Sequence, residues 1–166
     1  MNVLINNLIF QMEQIQKGKN WIGTNFKTII NPLSETDFFY QPKSMHSVAE
    51  IISHLTIWRE ETILKIETGE GSITDDDPSN WKTNEELKPL GKESILLAYN
   101  TSLKKFLQLL KGKSDDFLED IYYDTDFKDY FSYSFLLNGM LHHDLYHLGQ
   151  LGLMIKILNS NQNSSL

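Results

Sequence analysis

A chain of 166 residues with 40% hydrophobic content suits one domain that buries its own core without disulfide staples. Its formal net charge of −7 argues against a nucleic-acid backbone or an anionic membrane surface as the main partner. The lack of cysteine excludes disulfides, thiolate metal ligands and a cysteine nucleophile. The opening stretch "MNVLINNLIFQMEQIQ" has no basic n-region, and no run of about 18 apolar residues occurs anywhere. Neither a signal peptide nor a membrane span is therefore expected, and a cytoplasmic protein is.

In chain order, four helical segments are predicted. The first starts near Asn2, with Leu4, Leu8, Met12, Ile15, Ile22, Phe26 and Ile29 on one face. Gly18 and Gly23 weaken its middle and Pro32 ends it. Ser34 caps a short turn in the connector. The second segment begins with a capping box, Ser47 with Glu50 three residues on. Val48, Ile51, Leu55, Trp58, Thr62 and Ile66 form its face, and Gly69 stops it. A long, polar, acidic loop follows, of a kind that is often functional in a compact domain. The third segment spans about Lys92 to Lys111, with Ile95, Tyr99, Ser102, Phe106 and Leu109 or Leu110 inward. "SDDFLEDIYYDTDFKDY" bridges to the last segment with at most a short helix, and no strand pair is expected. The fourth segment spans about Ser132 to Leu158 and places Leu136, Met140, His143, His147, Gln150 or Leu151, Met154 and Leu158 together. The polar end, from about residue 159 to 166, is expected to fray. Four amphipathic helices of this kind pack as an all-α four-helix bundle.

Three of the five histidines fall in "HHDLYH". A helix advances about 100° per residue, so His143 and His147, four apart, stand one above the other, and His142 points elsewhere. His-x-x-x-His on a helix chelates transition metals, but on its own it is a weak signal. The apolar setting strengthens it, because two buried imidazoles need partners for their nitrogens. A third ligand must come from another helix. His54, at the edge of the second segment's inner face, is the candidate, whereas His46 precedes the cap. No Glu-x-x-His repeat of the di-iron kind is present, so a mononuclear site fits better.

On "HSVAEIISHLTIW" and "GMLHHDLYHLGQ" the chain resembles the DinB-like superfamily of metal-binding four-helix bundles, which includes bacillithiol and mycothiol transferases. The positions that match the family pattern are His54, then Gly139, His143, His147, Gly149 and Gln150. The resemblance implies one DinB-like domain over residues 1–166, with up-down-down-up topology and frequent dimerisation, here a homodimer. It also implies a metal, nickel or zinc, on His54, His143 and His147. Three imidazole nitrogens suit these metals better than magnesium or calcium and leave positions open for substrate.

Gln150 can orient a metal-bound water or accept from a ligand's outer nitrogen, or it is a helix-surface residue. Trp58 either walls the pocket or packs in the core. Glu61 continues the His54–Trp58 line as a proton-transfer group or as a solvated side chain, the commoner role. Asp144 is turned about 100° from His143 and is not expected to be a ligand. Asp75–Asp77 lack the spacing of a calcium loop and fit a solvated turn. The function these features suggest is a metal-dependent enzyme acting on a small-molecule substrate. It transfers a low-molecular-weight thiol to an electrophile, or, with bound hydroxide, it is a hydrolase. The rival is a non-catalytic, metal-stabilised binding protein.

Overall fold

The computed structural model describes residues 2–163. The chain forms α1 (Val3–Lys17), α2 (Phe26–Ile30), α3 (Glu35–Phe39), α4 (Val48–Thr68), α5 (Asn84–Leu87), α6 (Gly91–Lys111), strands β1 (Ile121–Asp124) and β2 (Asp129–Ser132), and α7 (Tyr133–Asn163). Four of these helices, α1, α4, α6 and α7, are long, and α4 carries the most buried residues. It packs most extensively on α6 and also on α7, while α1 lies against α6 and α7. Ile52, Leu55, Arg59, Thr62 and Lys65 are all buried, so α4 is enclosed well beyond one stripe. This follows from a sequence in which polar residues are threaded through the apolar ones.

The predicted first segment is two helices. At Gly18 the backbone turns extended, and the side chain of Asn20 bonds the carbonyls of Gln14 and Thr24. Asn25 then caps α2 through the Thr28 N–H at 2.9 Å. Local side-chain bonds of this kind offer the backbone an alternative to continuing the helix. The phase of α1 also differs from the prediction. Leu4 is exposed, and Ile5 and Ile9 are in the core. The N-terminus of α1 is held by a residue distant in sequence. The Asp115 carboxylate accepts the N–H groups of Val3, Leu4 and Ile5 at 2.8–3.0 Å, which satisfies donors that every helix start leaves free.

The capping box on α4 is present. Ser47 Oγ accepts from Glu50 N at 3.1 Å and Glu50 Oε2 accepts from Ser47 N at 2.8 Å. Gly69 ends the helix at φ 80°, a conformation that costs glycine little. The stripe on α6 is as expected, with Ile95, Tyr99, Ser102, Phe106 and Leu110 buried. The helix α7 continues to Asn163, past Leu158 where the tail was expected to begin; residues 164–166 lie outside the described part.

The expectation of no strand pair is wrong. β1 and β2 form an antiparallel hairpin with Tyr122 opposite Phe131 and Tyr123 opposite Tyr130. Each strand has four residues, too few for a clear alternation. The turn is closed by Asp124, whose carboxylate accepts from Asp126 N and Phe127 N, and by Lys128 at φ 57°, so it lacks the usual Asn-Gly or Asp-Gly signal. The hairpin docks on the C-terminal half of α4. Buried Lys65 donates to Asp124 Oδ2 at 2.9 Å, and Tyr122 OH donates to the same oxygen at 3.0 Å.

Five side chains from four helices meet in the core. The guanidinium of Arg59 on α4, 0% exposed, lies 3.4 Å from both Asp144 oxygens on α7. It also bonds Tyr99 O and Ser102 Oγ on α6 and sits over the Tyr99 ring. Gln16 on α1 donates to Asp144 Oδ2 at 2.8 Å and accepts from Tyr99 OH. Burial works against the charge on Arg59, but Asp144 and Tyr99 outweigh it and raise its pKa. Burial also pushes the Asp144 carboxyl up, with Arg59 and Gln16 acting against it. The Tyr99 hydroxyl is pushed up to about 12, chiefly by burial. The network cross-links α4 with α7, the two helices that carry His54, His143 and His147.

Candidate metal centre

His54 lies on α4, and His143 and His147 lie one turn apart on α7. Their inner nitrogens converge. His143 Nε2 is 3.0 Å from His54 Nε2 and 3.1 Å from His147 Nε2. Nitrogens about 2.0–2.1 Å from one zinc ion lie within about 4.2 Å of one another; the two separations from His143 meet that limit, and the His54–His147 pair, held within 4.8 Å, reaches it with a small inward shift of the rings. Among the described residues these three are the group of histidines and carboxylates able to surround an ion, with ligand atoms within 4.8 Å of one another.

The outer nitrogens decide what the inner ones present. His54 Nδ1 faces the Asn80 carbonyl at 3.1 Å. A carbonyl only accepts, so Nδ1 carries the proton and Nε2 is a bare lone pair. His147 Nδ1 faces Gln150 Oε1 at 2.7 Å, with the same consequence. With neutral rings, at most one proton, that of His143, remains for three inner nitrogens. If it sits on Nε2 it can satisfy one neighbour and leaves the other unpaired. If it sits on Nδ1, three lone pairs point at one spot. His143 Nδ1 is itself buried without a hydrogen-bond partner. Such a cluster is costly on its own, and a cation at its centre resolves it.

The rings are held neutral. His54 is lowered to about 4, first by burial, with the Asn80 carbonyl opposing and His147 adding to the effect. His143 is lowered to about 3, by burial and then by His147, His54 and Arg59. His147 is lowered too, by burial, against the pull of Gln150. Neutral imidazole is the form that binds metal, so the donor set fits a divalent transition ion.

A family model described as the DinB superfamily matches residues 21–151, which is well over half of the 166 residues. The chain belongs to the DinB superfamily. No curated protein matches it. The DinB match contains all three histidines, while α1 precedes it.

In this DinB-superfamily chain, Trp58 is half-buried beside the site, its ring 6.3 Å from that of His54 and 6.4 Å from that of His143. Gln150 bonds the outer nitrogen of His147. His142 is exposed, as its phase requires. His46 is exposed at the start of α4, 3.4 Å from Glu50 Oε2. Asp144 faces Arg59 and not the histidines. In the Asp75–Asp77 turn, Asp77 accepts from Ser79. Glu61 is a correction: it is 2% exposed, not solvated, and accepts from Ser72 N, Ser72 Oγ and Ile73 N. Its bonds hold the acidic loop to α4. The reading of the sequence missed Asn80 and Trp81, which that loop places against His54, and also the Arg59 network. A tryptophan in an otherwise polar loop was the available signal; nothing local marks Arg59 as buried.

Proposed function

We propose that His54, His143 and His147 hold one divalent transition metal, nickel or zinc, and that the protein is a metal-dependent enzyme acting on a small molecule. The observation that carries this reading is the commitment of two outer nitrogens as donors, which turns bare inner nitrogens toward one point. Among the described residues no carboxylate or further histidine joins the group. A three-ligand site leaves coordination open, as catalytic sites do and closed structural sites do not; this favours an enzyme over a non-catalytic, metal-stabilised binder. When bound, the ion supplies Lewis acidity that makes a thiol or a water nucleophilic at neutral pH.

The protein's own residues do the rest. Gln150 keeps the His147 proton on Nδ1, and the Asn80 carbonyl does so for His54. Trp58 flanks His54 and His143. The chain has no cysteine, so a thiol nucleophile is brought in as a low-molecular-weight cofactor and transferred to an electrophilic substrate. Hydrolysis is the second reading of the same site, with water in place of the thiol. We also propose an up-down-down-up bundle that works as a homodimer, which the resemblance to the DinB-like superfamily implies, and a cytoplasmic location, which the sequence leads one to expect. No helix among the described residues is long and apolar enough to cross a membrane.

Metal analysis of protein purified without added metal tests the ligand set. We expect one ion per chain in the wild type and its loss in His143→Ala; unchanged stoichiometry in the variant removes this histidine from the site. Turnover of electrophile panels with candidate thiols, and of ester and amide panels without them, separates transferase from hydrolase. No metal-dependent turnover in either panel favours the binding protein.

A further inference from the structure

We propose that the dipeptide Asn80–Trp81 is the positioning element of the histidine site: it sets the tautomer and the plane of His54 from outside the helices. This rests on the reading of the three histidines as a metal site.

Asn80 is 4% exposed, although it lies in a polar loop. Each of its four polar groups is engaged. Its N–H donates to Asp77 O at 2.9 Å, and its Nδ2 donates to Asp75 O at 2.9 Å. Its carbonyl accepts from His54 Nδ1 at 3.1 Å, and its Oδ1 accepts from Trp58 Nε1 at 2.8 Å. An indole N–H can only donate and a peptide carbonyl can only accept, so the orientation of the amide is fixed by its neighbours. A buried amide with every group used is worth keeping, because losing one partner strands a desolvated polar atom. Asn80 thus ties the loop to two residues of α4, Trp58 and His54, which are four apart.

Trp81 adds the second constraint. Its ring stacks on His54 at 3.8 Å with an interplanar angle of 8°, and on its far side His46 stacks at the same distance and angle. The imidazole of His54 therefore has its edge fixed by Asn80 and one face fixed by Trp81. The start of the loop is anchored separately. Glu61 accepts from Ser72 and Ile73, and Tyr123 of β1 exchanges backbone bonds with Gly69 and Gly71. The hairpin, the loop and α4 are consequently one unit, and the carbonyl that orients a ligand histidine is the far end of it. Groups bonded to the outer nitrogen of a ligand histidine typically change metal affinity 10- to 100-fold when removed.

The test uses the full chain and four variants. Asn80→Ala removes the amide and keeps the backbone carbonyl. Trp58→Phe keeps an aromatic side chain while removing the N–H that bonds Asn80, with a smaller ring in place of the indole, and it leaves the loop sequence intact, so it guards against a loop variant that does not fold. Trp81→Ala removes the stack, and Trp81→Phe restores an aromatic face. Imidazole nitrogen NMR on the metal-free protein at pH 7.5 reads the tautomer of His54. Competition with a chromophoric chelator reads zinc affinity. We expect a single Nδ1–H tautomer in the wild type and a mixture in Asn80→Ala and Trp58→Phe. We expect zinc affinity to fall in Asn80→Ala, by no more than the roughly 10- to 100-fold that loss of the carbonyl itself would cause, to fall in Trp81→Ala, and to recover largely in Trp81→Phe. A variant with native circular dichroism, one unchanged tautomer and wild-type zinc affinity overturns the proposal, since a loop pin with no part in the site would behave that way. If the wild type binds no zinc or nickel, the metal reading fails; the tautomer of His54 in the variants still decides whether Asn80 positions it.

Discussion

Replacing Asp144 by alanine leaves Arg59 charged, 0% exposed, hydrogen-bonded only to Tyr99 O and Ser102 Oγ, both at 3.4 Å, and over the Tyr99 ring, with no counter-charge. Breaking a buried ion pair from one side costs about 3–5 kcal/mol, because the remaining charge has lost its compensation. Solvent screening does not soften this, since Asp144 is itself 4% exposed. The variant also strands the Gln16 Nε2 donor, for roughly 1 kcal/mol more. In a domain of this size each kcal/mol moves the midpoint by about 2–4 °C, so the expected loss is on the order of 10–20 °C. Thermal and urea unfolding followed by circular dichroism measure it. Asp144→Asn should lose most of the same amount, because the amide cannot neutralise the guanidinium. The double variant Arg59→Met/Asp144→Leu should come back close to the wild type, since a well-packed apolar pair often replaces a buried ion pair without loss. A loss under about 1 kcal/mol in Asp144→Ala, or a double variant as weak as the single, would refute the view that this pair fixes α4 against α7.

Further expectations concern the histidines. In the metal-free protein His54 and His143 titrate near 4 and 3 and His147 is lowered, while an unfolded histidine titrates near 6.5. As pH falls below about 6.5 the unfolded chain takes up protons first, so stability is intact above that value and drops between it and about 3. Melts of chelator-treated protein check this; a flat midpoint from pH 7.5 to 5 would contradict it. Added zinc should raise the midpoint at pH 7.5 by mass action and much less at pH 5, where protons compete for the same nitrogens; equal effects at both values would mean other ligands. Gln150→Leu should weaken zinc binding about 10- to 100-fold and Gln150→Glu should retain it, measured by chelator competition. His142→Ala should keep full metal content, and loss of metal with an intact fold would show the phase of α7 to be misassigned.

The sequence by itself determined the boundaries that rest on local chemistry. The Ser47–Glu50 capping box and Gly69 mark α4 because their bonds lie within the same few residues. The pairing of His143 with His147 follows from helical pitch alone, and the assignment of His54 followed from pattern and resemblance. Short-range competition was harder to weigh. The break at Gly18 depends on which of two local bonding schemes the asparagines favour, and the hairpin has strands too short to show a period. The tertiary structure alone decided what the polar residues do. Glu61 was expected to be solvated, and nothing local marks Arg59, Lys65 or Asp144 as buried; all four are buried because polar partners elsewhere in the chain meet their charges. Asn80 and Trp81 reach His54 across a loop whose path is set by Glu61, Trp58 and β1. Burial of a charge is a property of the groups that surround it, and those groups are brought together only when the helices have packed.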